Sequence, residues 1–194
     1  MDFMSKCEDN AFDLAICDPP YWPSKDNRGE IRTTGYVQSA IRLGEQPDDK
    51  FFNEIRRISK EQIVWGANNY NYPFKGYAVW NKTNIPDKFT MSKCEIASLS
   101  DGLSTVSKMF SYPSTVNGKK RIHPTQKPVE LYEWLLRTFT KSPCSIIDPF
   151  LGSGSSRIAA YQMGYDFTGC ELNKDYYDAQ EVRFANFKKQ VKLF

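Results

Sequence analysis

The sequence predicts an α/β fold with helices on both faces of a sheet. Three observations predict it. Short apolar runs alternate with segments of helical periodicity along most of the chain, the pattern of an α/β sheet. Two of those runs end in loops of unusual composition, Asp18-Pro19-Pro20-Tyr21 and Asp148-Pro149-Phe150-Leu151-Gly152-Ser153-Gly154, and the carboxyl edge of an open α/β sheet is where ligands bind. The length, 194 residues, suits one domain over residues 1–194 with a substantial core.

The elements follow in order. Phe12 to Cys17 reads as a buried strand stopped by the double proline. Residues 22–46 carry glycines and charges with few apolar side chains, which predicts a long loop. Asp48 is placed to cap a helix whose core face is Phe51, Phe52, Ile55 and Ile58. Strands are expected at Gln62–Trp65, Tyr77–Trp80, Glu95–Leu99 and Lys108–Tyr112. Pro128 suits the first turn of a helix with Leu131, Trp134 and Leu135 inward. Ser145–Ile147 is a strand feeding the glycine loop, and a helix over Ser155–Met163 stops at Gly164. Phe167–Cys170 is a further strand closed by Glu171, and Asn173 caps a long, basic terminal helix.

Composition excludes several classes. A net charge of +3 permits a nucleic-acid partner without demanding one. No run approaches the roughly 20 apolar residues of a membrane span, so a membrane partner is not expected. The five cysteines form no CxxC pair, and with a single histidine they make a metal site improbable. Reduced, buried cysteines in a cytoplasmic protein are the expectation.

The glycine loop carries the first chemical signal. Gly152-x-Gly154 after a strand and before a helix allows backbone to approach a ligand closely, while Glu171, ending the next strand, can accept hydrogen bonds from ribose hydroxyls. Those parts describe half of a nucleoside site.

The Asp18 loop is sharper. An exocyclic amino group on an aromatic base is a poor nucleophile, because its lone pair is delocalised into the ring. Acceptors that take both amino hydrogens favour a pyramidal nitrogen with its lone pair free. The Asp18 carboxylate and Pro19 carbonyl suit that task. Pro19 and Pro20 have fixed φ and no N–H, so the loop is stiff and rich in acceptors. Tyr21 can stack on the base, a contact worth roughly 1–3 kcal/mol.

Asp18-Pro19-Pro20-Tyr21, then His123-Pro124-Thr125-Gln126-Lys127-Pro128, then Asp148-Pro149-Phe150-x-Gly152-x-Gly154 resembles the β group of S-adenosylmethionine-dependent DNA amino-methyltransferases. The resemblance implies a Rossmann-like class I methyltransferase, a mostly parallel sheet with one reversed strand. It implies catalytic roles for Asp18, Pro19, Pro20 and Tyr21 on a flipped-out base. It implies that Phe150, Gly152, Gly154 and Glu171 line the cofactor site, with Asp148, Thr125 and Lys127 meeting the cofactor's methionine end. Asp18, in place of serine, is more typical of adenine N6 than of cytosine N4 in this family. Cytosine N4, an RNA adenine and a catalytically silent nucleic-acid-binding subunit are the alternatives.

Lys119, Lys120 and Arg121 are candidate phosphate contacts, and the stretch at about 81–121 is expected to be a short target-recognition insert. Trp65, Asn68, Asn69, Tyr70, Tyr72 and Trp80 are read either as pocket lining or as core. His123 is expected to shape its loop, because transfer from a sulfonium needs no prior base. Relatives usually carry a strand ending in Gly-Asp ahead of the Asp18 loop. Its absence here predicts a sheet lacking one edge strand, with three alternatives: weak cofactor binding, a homodimer or partner subunit that completes the edge, or a true start that lies upstream.

Overall fold

The computed structural model describes residues 2–21, 46–70, 75–89, 91–114 and 121–191. Its centre is a seven-stranded sheet in the order β5-β3-β4-β2-β1-β6-β7. The strands are β1 (Phe12–Cys17), β2 (Ser59–Trp65), β3 (Gly76–Asn81), β4 (Cys94–Leu99), β5 (Lys108–Ser111), β6 (Ser145–Asp148) and β7 (Asp166–Gly169). Among the described strands only β4 is reversed: it runs antiparallel to both β2 and β3, and every other pair is parallel. Among the described residues β5 and β7 are the outermost strands.

Alternation along β1 explains the two layers. Leu14 and Ile16 point into a core with Ile63, Trp65, Leu131, Leu135 and Ile146. Ala15 and Cys17 point to the other face and meet Phe51, Phe52, Ile55 and Ile58. Period-two burial on a strand supplies both faces only when helices cover both. Helix α1 (Asp49–Ile58) covers one; α2 (Val129–Phe139) and α3 (Ser155–Gln162) supply the other, and α4 (Lys174–Val191) packs Phe184 against Tyr161 of α3.

Helix caps follow the sequence. The Asp48 carboxylate accepts the Phe51 N–H at 3.0 Å, and Asn173 Oδ1 accepts those of Asp175 and Tyr176. Most of the other expected ends shift by a single residue; two differences have a clear physical reason. Pro128 has extended ψ and precedes the first helical residue instead of occupying the first turn. Strand β2 begins at Ser59, three polar residues earlier than hydropathy indicates, because Ser59 pairs with Phe12 and Lys60 reaches Asp13 at 2.8 Å. Residues 22–45 of the expected long loop lie outside the described residues.

This topology fixes one edge. Parallel β1, β2, β6 and β7 all end there, and reversal brings the start of β4 to the same edge. Asp18, Gly66, Glu95, Pro149 and Glu171 therefore gather from distant parts of the chain.

Candidate active site

The two predicted loops share one cleft of about 460 Å³, lined by Asp18, Pro19, Pro20 and Tyr21 on one side and by Phe150, Gly152 and Glu171 on the other. Thr125 and Lys127 line it as well. Sequence separation is bridged by β1 lying directly beside β6.

The glycine turn is built from backbone that L side chains rarely adopt. Gly152 has φ +49° and Gly154 φ +71°, and a Cβ on Gly154 would stand 2.9 Å from Gln180 Oε1 of α4. Arg183, also on α4, donates to the Ser153 carbonyl at 2.7 Å. Glu171 ties the other side: Oε2 accepts the Gly152 N–H and Oε1 the Asn173 N–H, each at 2.8 Å. Both oxygens keep a lone pair for further donors.

Asp148, which ends β6, accepts from the Phe150 N–H at 2.9 Å and from the Ser156 hydroxyl at 2.5 Å. Burial pushes its carboxyl up to about 7 against those two hydrogen bonds. Among the described residues no lysine or arginine pairs with it.

The Asp18 turn is held at both carboxylate oxygens. Tyr21 donates its hydroxyl to Oδ1 at 2.8 Å, and the Lys127 ammonium donates to Oδ2 at 2.5 Å. Burial, reinforced by Asp18 and Glu95, pushes the Tyr21 hydroxyl up, so it stays a donor. The Tyr21 ring packs on Gly66, where φ is +76° and a Cβ would fall 2.3 Å from the ring. Tyr70 donates to the Pro20 carbonyl at 2.5 Å, buttressing the turn from behind.

The remaining candidates divide. Lys127 lines the cleft, and its ammonium meets the Asp18 and Glu95 carboxylates and the Tyr21 hydroxyl, as a buried cation must find anions. Its carbonyl accepts from Ser155, fastening this loop to α3. His123 packs on Tyr176, ring centroids 4.3 Å apart, with Nδ1 3.1 Å from the Thr125 hydroxyl. Burial lowers it to about 4, a neutral ring that shapes the loop. Trp65 and Trp80 belong to the core, and Trp80 Nε1 donates to the Tyr112 carbonyl. Asn68 is exposed. Arg121 is exposed and donates to the Ser114 carbonyl, while Lys119, Lys120 and Tyr72 lie outside the described residues. No group of three metal-ligating side chains occurs among the described residues, and no described helix is long and apolar enough to cross a membrane.

Tyr132, Ser155, Tyr176, Leu172 and Glu95 also line the cleft, and nothing in the sequence singled them out. Leu172, at the rim beside Glu171, is fully exposed. Glu95 looked like the polar head of an ordinary strand. A carboxylate preceding Ile96-Ala97 was the available signal, and only the reversal of β4 gives it meaning.

Several known proteins are similar to the chain in sequence or in fold. The chain is 23% identical over 99% of its length to the type II methyltransferase M2.MboI of Moraxella bovis, covering 87% of that protein. In fold it is similar to M1.HpyAVI, solved as a SAM complex (TM-score 0.58, 18% identity, 93% and 91% of the two chains). It is also similar to the cytosine-N4-specific PvuII DNA methyltransferase (TM-score 0.62, 12% identity, 93% and 82%). Residues 49–182, which carry Glu95, Lys127, both glycines and Glu171, match the N6/N4 DNA methylase family, and the chain belongs to that family.

Proposed function

We propose that this protein is a DNA adenine-N6 methyltransferase that uses S-adenosylmethionine. The observation that carries the reading is the shared cleft: the Asp18 turn and the glycine turn, through Phe150, Gly152 and Ser153, line one cavity. Membership of the DNA methylase family supplies the reaction class.

The residues present fit the cofactor. Glu171 offers free lone pairs to ribose hydroxyls, exposed Leu172 offers an apolar rim to a nucleoside base, and the positive-φ glycines leave the loop face bare. Asp148 lies buried directly behind the cleft residues Pro149 and Phe150, with no cation of its own among the described residues, and suits an ammonium group; Thr125 lines the cleft itself. When bound, S-adenosylmethionine supplies an electrophilic methyl on a sulfonium, whose C–S bond breaks with the electron pair left on sulfur.

The chain's own contribution is positioning. Asp18 accepts one amino hydrogen of the extruded base and the Pro19 carbonyl the other, so the nitrogen lone pair is directed along the cleft. Tyr21 presents a ring held rigid by Gly66 and Asp18. Positive charge building on the amino nitrogen is stabilised by Asp18, and the surplus proton leaves to water at the cleft mouth.

Aspartate at position 18 favours adenine. Cytosine N4 is the second reading, favoured by the fold likeness to a cytosine-N4-specific enzyme. DNA contacts fall to the connections at the cleft edge. Of the stretch 81–121, β4 and β5 belong to the sheet and residues 100–107 join them at the opposite edge; among the described residues, 82–89, 91–93 and 112–114 are left as candidates for recognition. A second copy or a partner subunit at the bare β7 edge would complete the site.

Transfer of tritiated methyl to duplex DNA, single-stranded DNA and RNA, measured side by side, tests this. Label on duplex DNA is expected; label confined to RNA, or none, refutes it.

A further inference from the structure

Behind the Asp18 turn lies a row of alternating charge. Lys82 Nζ stands 2.6 Å from Glu95 Oε1; Glu95 Oε2 is 3.0 Å from Lys127 Nζ; Lys127 Nζ is 2.5 Å from Asp18 Oδ2. The Lys127 side chain is only 3% exposed, and a buried ammonium is costly unless anions surround it. From the sequence, none of this was attached to chemistry beyond Asp18 and Lys127.

We infer that Glu95 is a positioning residue for methyl transfer, holding Lys127 charged and in place so that Lys127 orients Asp18 toward the target amino group. This deepens the proposed function and rests on it. Were Asp18 the sole anion on Lys127, the pair would neutralise each other, and the carboxylate facing the reacting nitrogen would lose its value. Glu95 shares the ammonium instead. Asp18 becomes the end of the row, with two donors, Tyr21 and Lys127, on a carboxylate that has about four acceptor sites. The rest of its capacity opens on the cleft.

The surroundings agree. Burial alone would raise the Glu95 carboxyl, yet Lys127 and Lys82 outweigh it and hold it at about 2. Burial alone would lower Lys127, yet Asp18 and Glu95 keep it above the ordinary lysine value. Groups facing Lys127 are Asp18 and Tyr21 from the β1 turn, Glu95 from β4 and His123 from its own loop, with Tyr132 of α2 lining the same cleft. Trp65 presents its ring 5.3 Å from the ammonium. Glu95 and Asp18 are thus the anions in contact with Lys127 among the described residues.

Glu95→Gln keeps the shape and removes the charge. Its kcat should fall about 10- to 100-fold, with the cofactor KM within about threefold of wild type. Lys127 should then titrate below the ordinary lysine value of ~10.4. The variant's kcat therefore declines between about pH 8 and 10 where the wild type stays flat, and Glu95→Asp recovers most of the flat profile. Lysine NMR with carbon-13 at Cε, the Lys127 signal assigned through Lys127→Arg, reads the same titration without turnover. If Glu95→Gln does not fold, Glu95→Asp and its lysine spectrum carry the test, with a smaller downward shift expected. Unchanged kcat, pH profile and Lys127 titration in a folded variant overturn the inference. A wild type that transfers no methyl while Lys127 still titrates as described overturns the function and leaves the charge relation intact.

Discussion

Glu171 holds the Gly152 N–H at 2.8 Å, so the acid that closes β7 and the glycine turn that follows β6 are fastened into one cradle. Removing it loosens the turn as well as deleting a ligand group. Glu171→Ala should weaken S-adenosylmethionine binding by about 10- to 100-fold, the range for lost hydrogen bonds to a charged group, with a small effect on melting temperature. Titration calorimetry checks this.

Asp148 predicts a pH dependence. Its folded carboxyl sits at about 7 against an ordinary 3.8, so the free protein binds an extra proton between those values. The sign follows from linkage: this group's contribution to stability is fully present below about pH 4 and is lost as pH rises through 7. A cationic ligand at Asp148 needs the anion, so cofactor affinity should rise across pH 6–8. Asp148→Asn should flatten that rise. Calorimetry in buffers of different ionisation enthalpy measures the released proton directly.

Gly66 supports Tyr21 by lacking a side chain. Gly66→Ala places a methyl 2.3 Å from the tyrosine ring at φ +76°. The backbone alone costs about 1–2 kcal/mol, and the ring must shift. Loss of thermal stability together with a fall in kcat, but intact cofactor binding, is the expected result.

The connection between β3 and β4 stands at the cleft edge with Phe89 and Met91 each 57% exposed, beside Lys88 and Lys93. Under the proposed function, apolar side chains beside lysines at this rim suit insertion at an unstacked DNA step. The double change Phe89→Ser and Met91→Ser should raise the KM for DNA about tenfold and leave cofactor affinity unaltered, as steady-state kinetics and calorimetry would report.

Much of this arrangement was legible in the sequence. Phe12–Cys17 is a strand with those bounds because its apolar run ends on Pro19-Pro20, and Asp48 and Asn173 cap helices as their side chains dictate. Both chemical loops were visible because small, rigid and acidic residues follow strands. What stayed hidden depends on tertiary contact. Periodicity cannot tell that β4 is reversed, so Glu95 carried no signal of the cleft. Nor can it tell that the Lys127 ammonium meets a residue 109 positions away, since only burial obliges it to find Asp18. Strand β2 starts early because pairing with β1 overrides its polar first residues.

The central claim is best tested by mass spectrometry of nucleosides from duplex DNA treated with the protein and methyl-deuterated S-adenosylmethionine, beside an Asp18→Ala variant shown by calorimetry to bind cofactor. The wild type should yield deuterated N6-methyladenine and Asp18→Ala none. Deuterated N4-methylcytosine, or undiminished methylation by Asp18→Ala, would contradict it.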